Sequence, residues 1–178
     1  MVAACLPIEQ GMNIQWPIPG CRVEQVTADT PAHLQIAAHG MDRGGRCPDC
    51  GTVSRAVHSR YRRYPADLPS LGRMVRVSLR VRRFYCRNAV CPRQTFAEPV
   101  SQLVAPFARR TRRLAEAQGR TGAALGGEAG ARLLSRLAMP ASADSVLRLL
   151  NQLPLPDHAE PRVIGVDDWA KRKGRSYG

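Results

Sequence analysis

Two pairs of cysteines, separated by 35 residues, constrain this chain more than any other feature of its sequence. Cys47 and Cys50 stand in the sequence CPDCG, and Cys86 and Cys91 flank the sequence RNAV. A Cys-x-x-Cys turn places two thiolates on one side of a tight bend, and a second pair brought beside it completes a tetrahedral site. We therefore predict one structural zinc ion bound by these four cysteines. Four thiolates leave no open coordination position, so this metal would do no chemistry.

The sequence alone leaves other assignments of these cysteines open. A redox Cys-x-x-Cys motif or unrelated buried thiols would use the same cysteines, although a redox motif stands beside a βαβ unit and none is readable here. His58 could replace one cysteine as a ligand. Cys5 and Cys21 are left over, and we expect them to be ordinary buried thiols.

The composition bears on the compartment as well. No apolar run approaches ~20 residues, which argues against a membrane-spanning helix. The first twelve residues, MVAACLPIEQGM, lack the basic and apolar regions of a signal peptide. We therefore expect a cytoplasmic, reducing compartment and no membrane partner, with the six cysteines serving as metal ligands and spare thiols.

Positive charge is concentrated in one segment. Residues 43–113 contain 17 arginines but only three acidic residues, Asp49, Asp67 and Glu98, and this segment accounts for the whole net charge of +13. A localised field of this kind suits a polyanion, because neutralised phosphates release their counterions. The charge thus predicts a nucleic acid partner, and we expect double-stranded DNA.

A strand with two unlike faces is predicted for residues 73–85. Apolar and arginine residues alternate there, and side chains alternate across a strand. We expect DNA contacts from Arg76, Arg80 and Arg82 on its polar face. Shorter strands are predicted within residues 21–38 and 53–64, and a loop for residues 65–72.

After Pro99 the apolar spacing becomes that of helices. We predict helices at residues 107–119, 128–138 and 143–153, the last capped by Ser142. This order predicts a helix-turn-helix domain, although a plain three-helix bundle would show the same spacing. The DNA contacts expected from this domain are Arg109, Arg110, Arg112 and Arg113 on phosphates, and Ser145 and Arg148 on base edges.

Asp167 and Asp168 follow the apolar sequence RVIGV. Carboxylates in that place hold Mg²⁺ in two-metal enzymes, but a charged turn after a strand is also common. The cysteine pairs, the basic helical segment and the sequence VIGVDDWAKRKGRSYG at residues 163–178 together resemble bacterial insertion-sequence transposases. Those enzymes join a zinc-binding domain and a helix-turn-helix to an RNase-H-like DDE catalytic domain.

Together, the strand and turn patterns and the resemblance, which covers residues 43–178, lead us to expect an α+β fold in four parts. Residues 1–42 would form a β-hairpin region and residues 43–100 a small zinc-binding β domain. Residues 101–156 would form a three-helix helix-turn-helix domain. Residues 157–178 would be the truncated start of the DDE catalytic domain, with the first strand of its RNase-H-like fold at residues 162–166.

The resemblance also carries expectations about activity. Asp167, with Asp168 as the alternative, would be the first aspartate of an incomplete DDE triad, so we expect no enzymatic activity and Mg²⁺ only in an intact relative. The expected activity is binding to terminal inverted repeats, alone or in association with another copy or a full-length transposase. The resemblance also implies a bacterial protein associated with the nucleoid. An RNA- or ribosome-associated zinc protein and a nuclease using Asp167, Asp168 and Glu160 are the alternatives.

Overall fold

A computed structural model gives the fold of this chain. It describes residues 17–154, together with the backbone of residues 170–172 and 176–177. The strands are β1 (Cys21–Thr30), β2 (His33–Gly40), β3 (Gly45–Arg46), β4 (Val53–Ser54), β5 (Val57–Arg63), β6 (Ala66–Ser70), β7 (Arg73–Tyr85), β8 (Thr95–Ala97), β9 (Ala170–Arg172) and β10 (Ser176–Tyr177). The helices are α1 (Arg112–Arg136) and α2 (Ala143–Leu150).

Strand β7 organises the main sheet and has the bounds that the sequence predicts. Strand β2 pairs in parallel with one edge of β7, and β1 pairs antiparallel with β2 to form a hairpin. Beyond the end of β2, β8 pairs with the last residues of β7. Along the other edge, β5 and β6 follow one another antiparallel to β7. The result is a mixed six-stranded sheet.

The two ends of β7 bury opposite faces. Val77, Leu79 and Val81 are at most 1% exposed and pack in a core that also contains Leu103 and residues of β2. Phe84 is also fully buried, but it stands an odd number of residues from Val81 and so points to the other face. There it belongs to a second core, formed with Cys47 and Phe96.

Close packing joins the two helices. A Cβ at Gly119 would lie 3.0 Å from the Leu149 carbonyl oxygen, and a Cβ at Gly122 would lie 2.7 Å from Val146 Cγ1. Because neither glycine has a side chain, α1 approaches the backbone of α2 at this point. Val146 fills the space between the helices and is fully buried.

The predicted fold class is wrong in its helical part. The described residues contain two helices after a mostly β mixed sheet, and not the three helices of a helix-turn-helix domain. The sequence suggested a helix end at Gly119, but α1 continues through it because this glycine packs against α2. The backbone leaves helical geometry instead at Gly126, within the bounds of α1. Residues 107–111 precede α1, whose N-cap is Thr111.

Smaller elements were predicted with mixed success. The cap of α2 by Ser142 is confirmed, since its hydroxyl accepts from the Ser145 N–H at 3.3 Å. The loop predicted for residues 65–72 is wrong, because β6 lies there and its first residue, Ala66, pairs with Arg76. The domain boundaries stay predictions, although the β1–β2 hairpin shares one sheet with the zinc-binding region.

Some predictions concern residues outside the described part of the chain. The expected RNase-H-like strand at residues 162–166, together with Glu160, Asp167 and Asp168, lies outside the described residues, as does Cys5. Neither helix in the described part combines the length and apolar character required to cross a bilayer.

Candidate metal centre and basic surface

The first cysteine pair is held by the tight turn between β3 and β4. The Cys47 N–H donates to the Thr52 carbonyl oxygen, and the Gly51 N–H donates to the Cys47 carbonyl oxygen, both at 2.9 Å. Gly51 has a φ of 73°, a value that a residue with a side chain rarely adopts. The turn therefore presents Cys47 and Cys50 on one side of the bend.

The second pair lies in the loop that follows β7. The Cys86 N–H donates to the Gln94 carbonyl oxygen at 2.8 Å, which closes the loop into β8. Within the loop, the Cys91 N–H donates to the Asn88 carbonyl oxygen at 3.1 Å. These bonds turn the chain back, so Cys91 returns to the neighbourhood of Cys86.

The second core brings the two pairs together. Gly45 permits this, since a Cβ there would lie 2.9 Å from the Phe84 ring. We name Cys47, Cys50, Cys86 and Cys91 the cysteine group. Their four sulfur atoms all lie within 4.8 Å of one another, and Cys50 Sγ is 3.6 Å from Cys86 Sγ. A tetrahedral zinc with Zn–S bonds of ~2.3 Å requires sulfur atoms about 3.8 Å apart. The cysteine group, Cys47, Cys50, Cys86 and Cys91, therefore fits a zinc ion.

The structure gives less support to other assignments of the cysteines. A disulfide requires sulfur atoms ~2.05 Å apart, far below the separation of Cys50 and Cys86. His58 stands outside the cysteine group, with its ring packed edge-on against Tyr85 at 4.8 Å between centroids. Cys21 is buried in the first core, and burial, with the charge of Glu98, raises its thiol pKa to about 11.

The thiols of the cysteine group differ in acidity. Hydrogen bonds with the side chain and backbone of Thr52 lower the pKa of Cys50 to about 6. The backbone of Arg93 lowers the pKa of Cys91, but burial and hydrogen bonds with the other three thiols outweigh it and raise that pKa to about 12. Ionisation of one thiol is therefore favoured, whereas ionisation of a second thiol is disfavoured because two thiolates in so small a space repel each other. A divalent cation removes that repulsion, so metal binding and thiol ionisation are coupled.

A zinc ion here would be structural. Bound by four thiolates, it would have no position for a water or a substrate. It would tie the β3–β4 turn to the end of β7, where the second core contains only a few buried side chains. In so small a core, metal ligation supplies folding energy that burial alone does not.

Arginines from three strands share one face of the main sheet. Direct partners across strands point to the same side, and one row runs from Arg22 through His39 and Arg80 to Arg62. The Arg62 guanidinium also donates to Ser78 Oγ at 3.4 Å, which fixes its side. The exposed arginines of this surface, here named the arginine face, are Arg22, Arg60, Arg62, Arg76 and Arg80.

One carboxylate partly offsets this charge. Glu24 Oε1 accepts from Arg80 at 2.6 Å. The same oxygen lies 2.9 Å from His39 Nδ1, although no hydrogen bond to this buried nitrogen is made. Four of the five arginines on the face have no ion pair with a described residue.

Two of the predicted DNA-contacting arginines form ion pairs with carboxylates inside the protein. Arg82 pairs with Glu98, whose side chain is only 3% exposed, and donates to the Asp42 carbonyl oxygen. Arg113 pairs with the fully buried Asp67. Both guanidiniums therefore satisfy buried carboxylates.

The remaining predicted contacts of the helical segment meet at one cleft. This cleft, of about 800 Å³, lies between residues 105–112 and α2. Burial, with a smaller effect of the nearby Arg148 charge, lowers the pKa of Arg110, and the Arg110 guanidinium donates to Gln118 Oε1 at 2.6 Å. The predicted DNA contacts that line the cleft are Arg109, Arg110, Arg112, Ser145 and Arg148.

A second cleft joins this one to the arginine face. It has a volume of about 410 Å³, and its lining includes Arg62 and Arg76 of the arginine face. Arg109 and Phe107 line both clefts. The arginine face and the two clefts therefore form one continuous surface, here named the basic band.

Some residues of the basic band were missed by the sequence analysis. For Arg60 and Arg62 the sequence did contain a signal, because these arginines alternate with Tyr61 and Arg63 along β5. For Arg22 the sequence contained no signal, since its position near the other arginines depends on the pairing of β2 with β7. Phe107 was assigned to a helix and not to a surface.

Comparison with known proteins adds to the metal centre. Residues 43–91 match a family model described as the zinc-finger of transposase IS204/IS1001/IS1096/IS1165. That range includes all four residues of the cysteine group. No curated protein and no solved structure matches the chain. The match supports a zinc-binding N-terminal region of a transposase, and it does not extend to residues 101–178.

Proposed function

We propose that this chain binds duplex DNA along the basic band, as the DNA-binding N-terminal region of an insertion-sequence transposase. The observation that carries the proposal is the continuity of the band, because Arg109 joins the two clefts and Arg62 and Arg76 join the second cleft to the sheet. The zinc-ribbon match adds the transposase context.

The dimensions of the basic band suit a duplex. The row from Arg22 to Arg62 crosses three gaps between strands, which is about 14 Å at the usual ~4.8 Å spacing. The major groove is ~12 Å wide, so arginines at the two ends of the row can reach phosphates on both of its sides. Such contacts fix position on the duplex and do not read sequence.

Sequence preference would come from α2. Ser145 and Arg148 line the first cleft beside Arg109 and Arg110, so a phosphate backbone seated there would bring base edges near α2. We propose the terminal inverted repeats of the element as the preferred duplex. This assignment follows from the transposase context and from the resemblance of residues 163–178.

We further propose that the chain binds DNA without cutting it. Asp67 and Glu98, the buried carboxylates of the described part, are each held by an arginine. Within that part, the groups of three or more residues able to hold a metal comprise the cysteine group alone. Thiolates suit zinc, whereas Mg²⁺ in phosphoryl transfer takes oxygen ligands.

The test is fluorescence anisotropy of a labelled duplex at several salt concentrations. Replacing Arg62, Arg76 and Arg109 together by Gln should weaken binding and reduce the salt slope by roughly 0.9 for each lost phosphate contact. The control replaces Arg120, Arg132 and Arg136 of α1 by Gln, which removes the same charge elsewhere. Equal losses in both triple variants would overturn the proposal, as would preferential displacement of the duplex by structured RNA.

A further inference from the structure

Phe107 is exposed to an unusual degree. The residue is 98% exposed, the highest value among the large apolar residues of the described part. Its φ of 59° lies in the left-handed region, which is uncommon for any residue with a side chain and an outlier for a bulky one. An outlier of this kind persists only where the surrounding structure enforces it.

Hydrogen bonds on both sides of Phe107 hold its backbone. The Arg63 guanidinium donates to the Ala105 carbonyl oxygen at 3.1 Å and to that of Ala108 at 2.8 Å. The Ala66 N–H donates to the Arg109 carbonyl oxygen at 2.9 Å. The backbone of the loop is therefore fastened to β5 and β6, and it holds the Phe107 ring out in solvent.

The surroundings of Phe107 are basic. The ring borders both clefts, among arginines that include Arg62 and Arg109. Glu116 is the one acidic residue among those that line the two clefts, and it pairs with Arg120 at 2.7 Å. An apolar partner protein would have to bury these arginines without counterions, whereas a nucleic acid supplies both phosphates and flat apolar bases.

We propose that Phe107 is a wedge that enters the base stack of duplex DNA held on the basic band, an inference that rests on the proposed function. Apolar side chains inserted at a base step unstack it and kink the duplex, and the bent duplex then contacts more protein. Arginines on either side of the ring would hold the phosphates that flank the opened step. A bend at Phe107 would let one duplex follow both the arginine face and the first cleft.

Unwinding of closed circular DNA tests this without knowledge of the target sequence. The protein is bound to a relaxed plasmid, topoisomerase removes the strain, and the change in linking number is measured at equal occupancy. The variants are Phe107→Ala, which removes the ring, and Phe107→Trp, which keeps a flat ring. Leu71→Ala is the matched control, because Leu71 is also 90% exposed with a φ of 52° but lies in the turn between β6 and β7.

The expected results separate the wedge from simple binding. The natural chain, Phe107→Trp and Leu71→Ala should unwind the plasmid, and Phe107→Ala should not. Duplex affinity should fall by less than about tenfold in Phe107→Ala, since the cost of unstacking is removed together with the inserted ring. Equal unwinding by Phe107→Ala and the natural chain would overturn the wedge and leave duplex binding intact. Absence of duplex binding by the natural chain would overturn both.

Discussion

Arg113 donates to both carboxylate oxygens of Asp67, from its Nε at 2.7 Å and from a terminal nitrogen. Asp67 lies in β6 and Arg113 in the first turn of α1, so this pair joins the sheet to the helix. The Thr111 hydroxyl, which caps α1, donates to the same carboxylate at 2.7 Å. A residue chosen from the sequence as a phosphate contact therefore fastens two elements of the fold.

Replacing Asp67 by Asn should destabilise the fold. The substitution leaves the Arg113 guanidinium without its charge partner, and breaking a fully buried pair costs ~3–5 kcal/mol. Because 31% of the Arg113 side chain is exposed, we expect about 2–3 kcal/mol, measured by urea denaturation. The control is Asp49→Asn, which breaks an exposed pair with Arg93 and should cost less than ~1 kcal/mol.

The Asp67 pair should also make stability depend on pH. Burial raises the pKa of Asp67, but hydrogen bonds from Arg113, Thr111 and the Leu68 N–H outweigh it and hold that pKa below its usual value. In the unfolded chain the Asp67 carboxyl has a pKa of ~3.9. The stabilisation by the Asp67 pair is therefore complete above that pH, and it is lost as the pH falls through the lower pKa that Asp67 has in the folded state. The melting temperatures of the natural chain and of Asp67→Asn should therefore begin to converge as the pH falls below about 4. A constant difference down to pH 2 would contradict this.

Arg109 and Arg113 should respond in opposite ways to the same substitution. Arg109→Gln should weaken duplex binding and leave the free energy of unfolding unchanged, because this arginine is exposed and lines both clefts. Arg113→Gln should lower the free energy of unfolding, because it leaves the buried Asp67 without its partner. The two measurements are anisotropy with a duplex and urea denaturation of the free protein. The reverse pattern would assign phosphate binding to Arg113.

Patterns between near neighbours were the predictable part of this structure. The alternation in residues 73–85 gave the bounds of β7, and the spacing of the cysteine pairs indicated a group that the structure does assemble. The pairing of β2 with β7 is parallel and joins residues about 40 positions apart. No local pattern specifies such a partner, because a parallel pair needs a long crossover whose path is set by tertiary packing. The neighbours of Arg80 on the sheet were therefore not predictable.

Charge and glycine were ambiguous for a related reason. An arginine in a sequence looks the same whether it faces solvent, as Arg76 does, or satisfies a buried carboxylate, as Arg82 does. A glycine in a helical pattern indicates an end or a close contact. Gly119 and Gly122 mark the contact with α2, and Gly126, with a φ of 72°, marks the break. The distinction depends on what packs against each residue.

The contact between α1 and α2 should be sensitive to a single methyl group. Gly122→Ala would place a Cβ 2.7 Å from Val146 Cγ1, and we expect a loss of about 1–3 kcal/mol in the free energy of unfolding. Val146→Ala removes the opposing methyl groups and should itself cost about 1–3 kcal/mol through the cavity. The double variant should cost less than the sum, because the added Cβ enters the space that Val146 leaves. Additive losses would show that the two residues do not meet.

Zinc removal should unfold the second core. The purified chain should contain about one zinc ion, and Cys47→Ser or Cys86→Ser should expose Phe84 and its neighbours to hydrogen exchange. Thiolate ligation of zinc supplies ~10–16 kcal/mol in small modules, more than so small a core provides. The matched control is Cys21→Ala, a buried thiol outside the cysteine group, which should retain the metal. A folded, reduced sample without stoichiometric zinc would contradict the assignment.

Duplexes carrying the terminal repeats should remain uncut in Mg²⁺ or Mn²⁺. A two-metal site places its ions ~3.5–4 Å apart between carboxylates that separate elements bring together. Asp167 and Asp168 are adjacent in the sequence, and in the extended strand end that the sequence predicts their side chains would point to opposite faces. The buried carboxylates of the described part, Asp67 and Glu98, are already held by arginines. Gel analysis of end-labelled duplexes should therefore show binding but no nicks, at any metal concentration that leaves the zinc in place. Site-specific nicking that Asp167→Ala abolishes and Asp49→Ala does not would establish an enzyme.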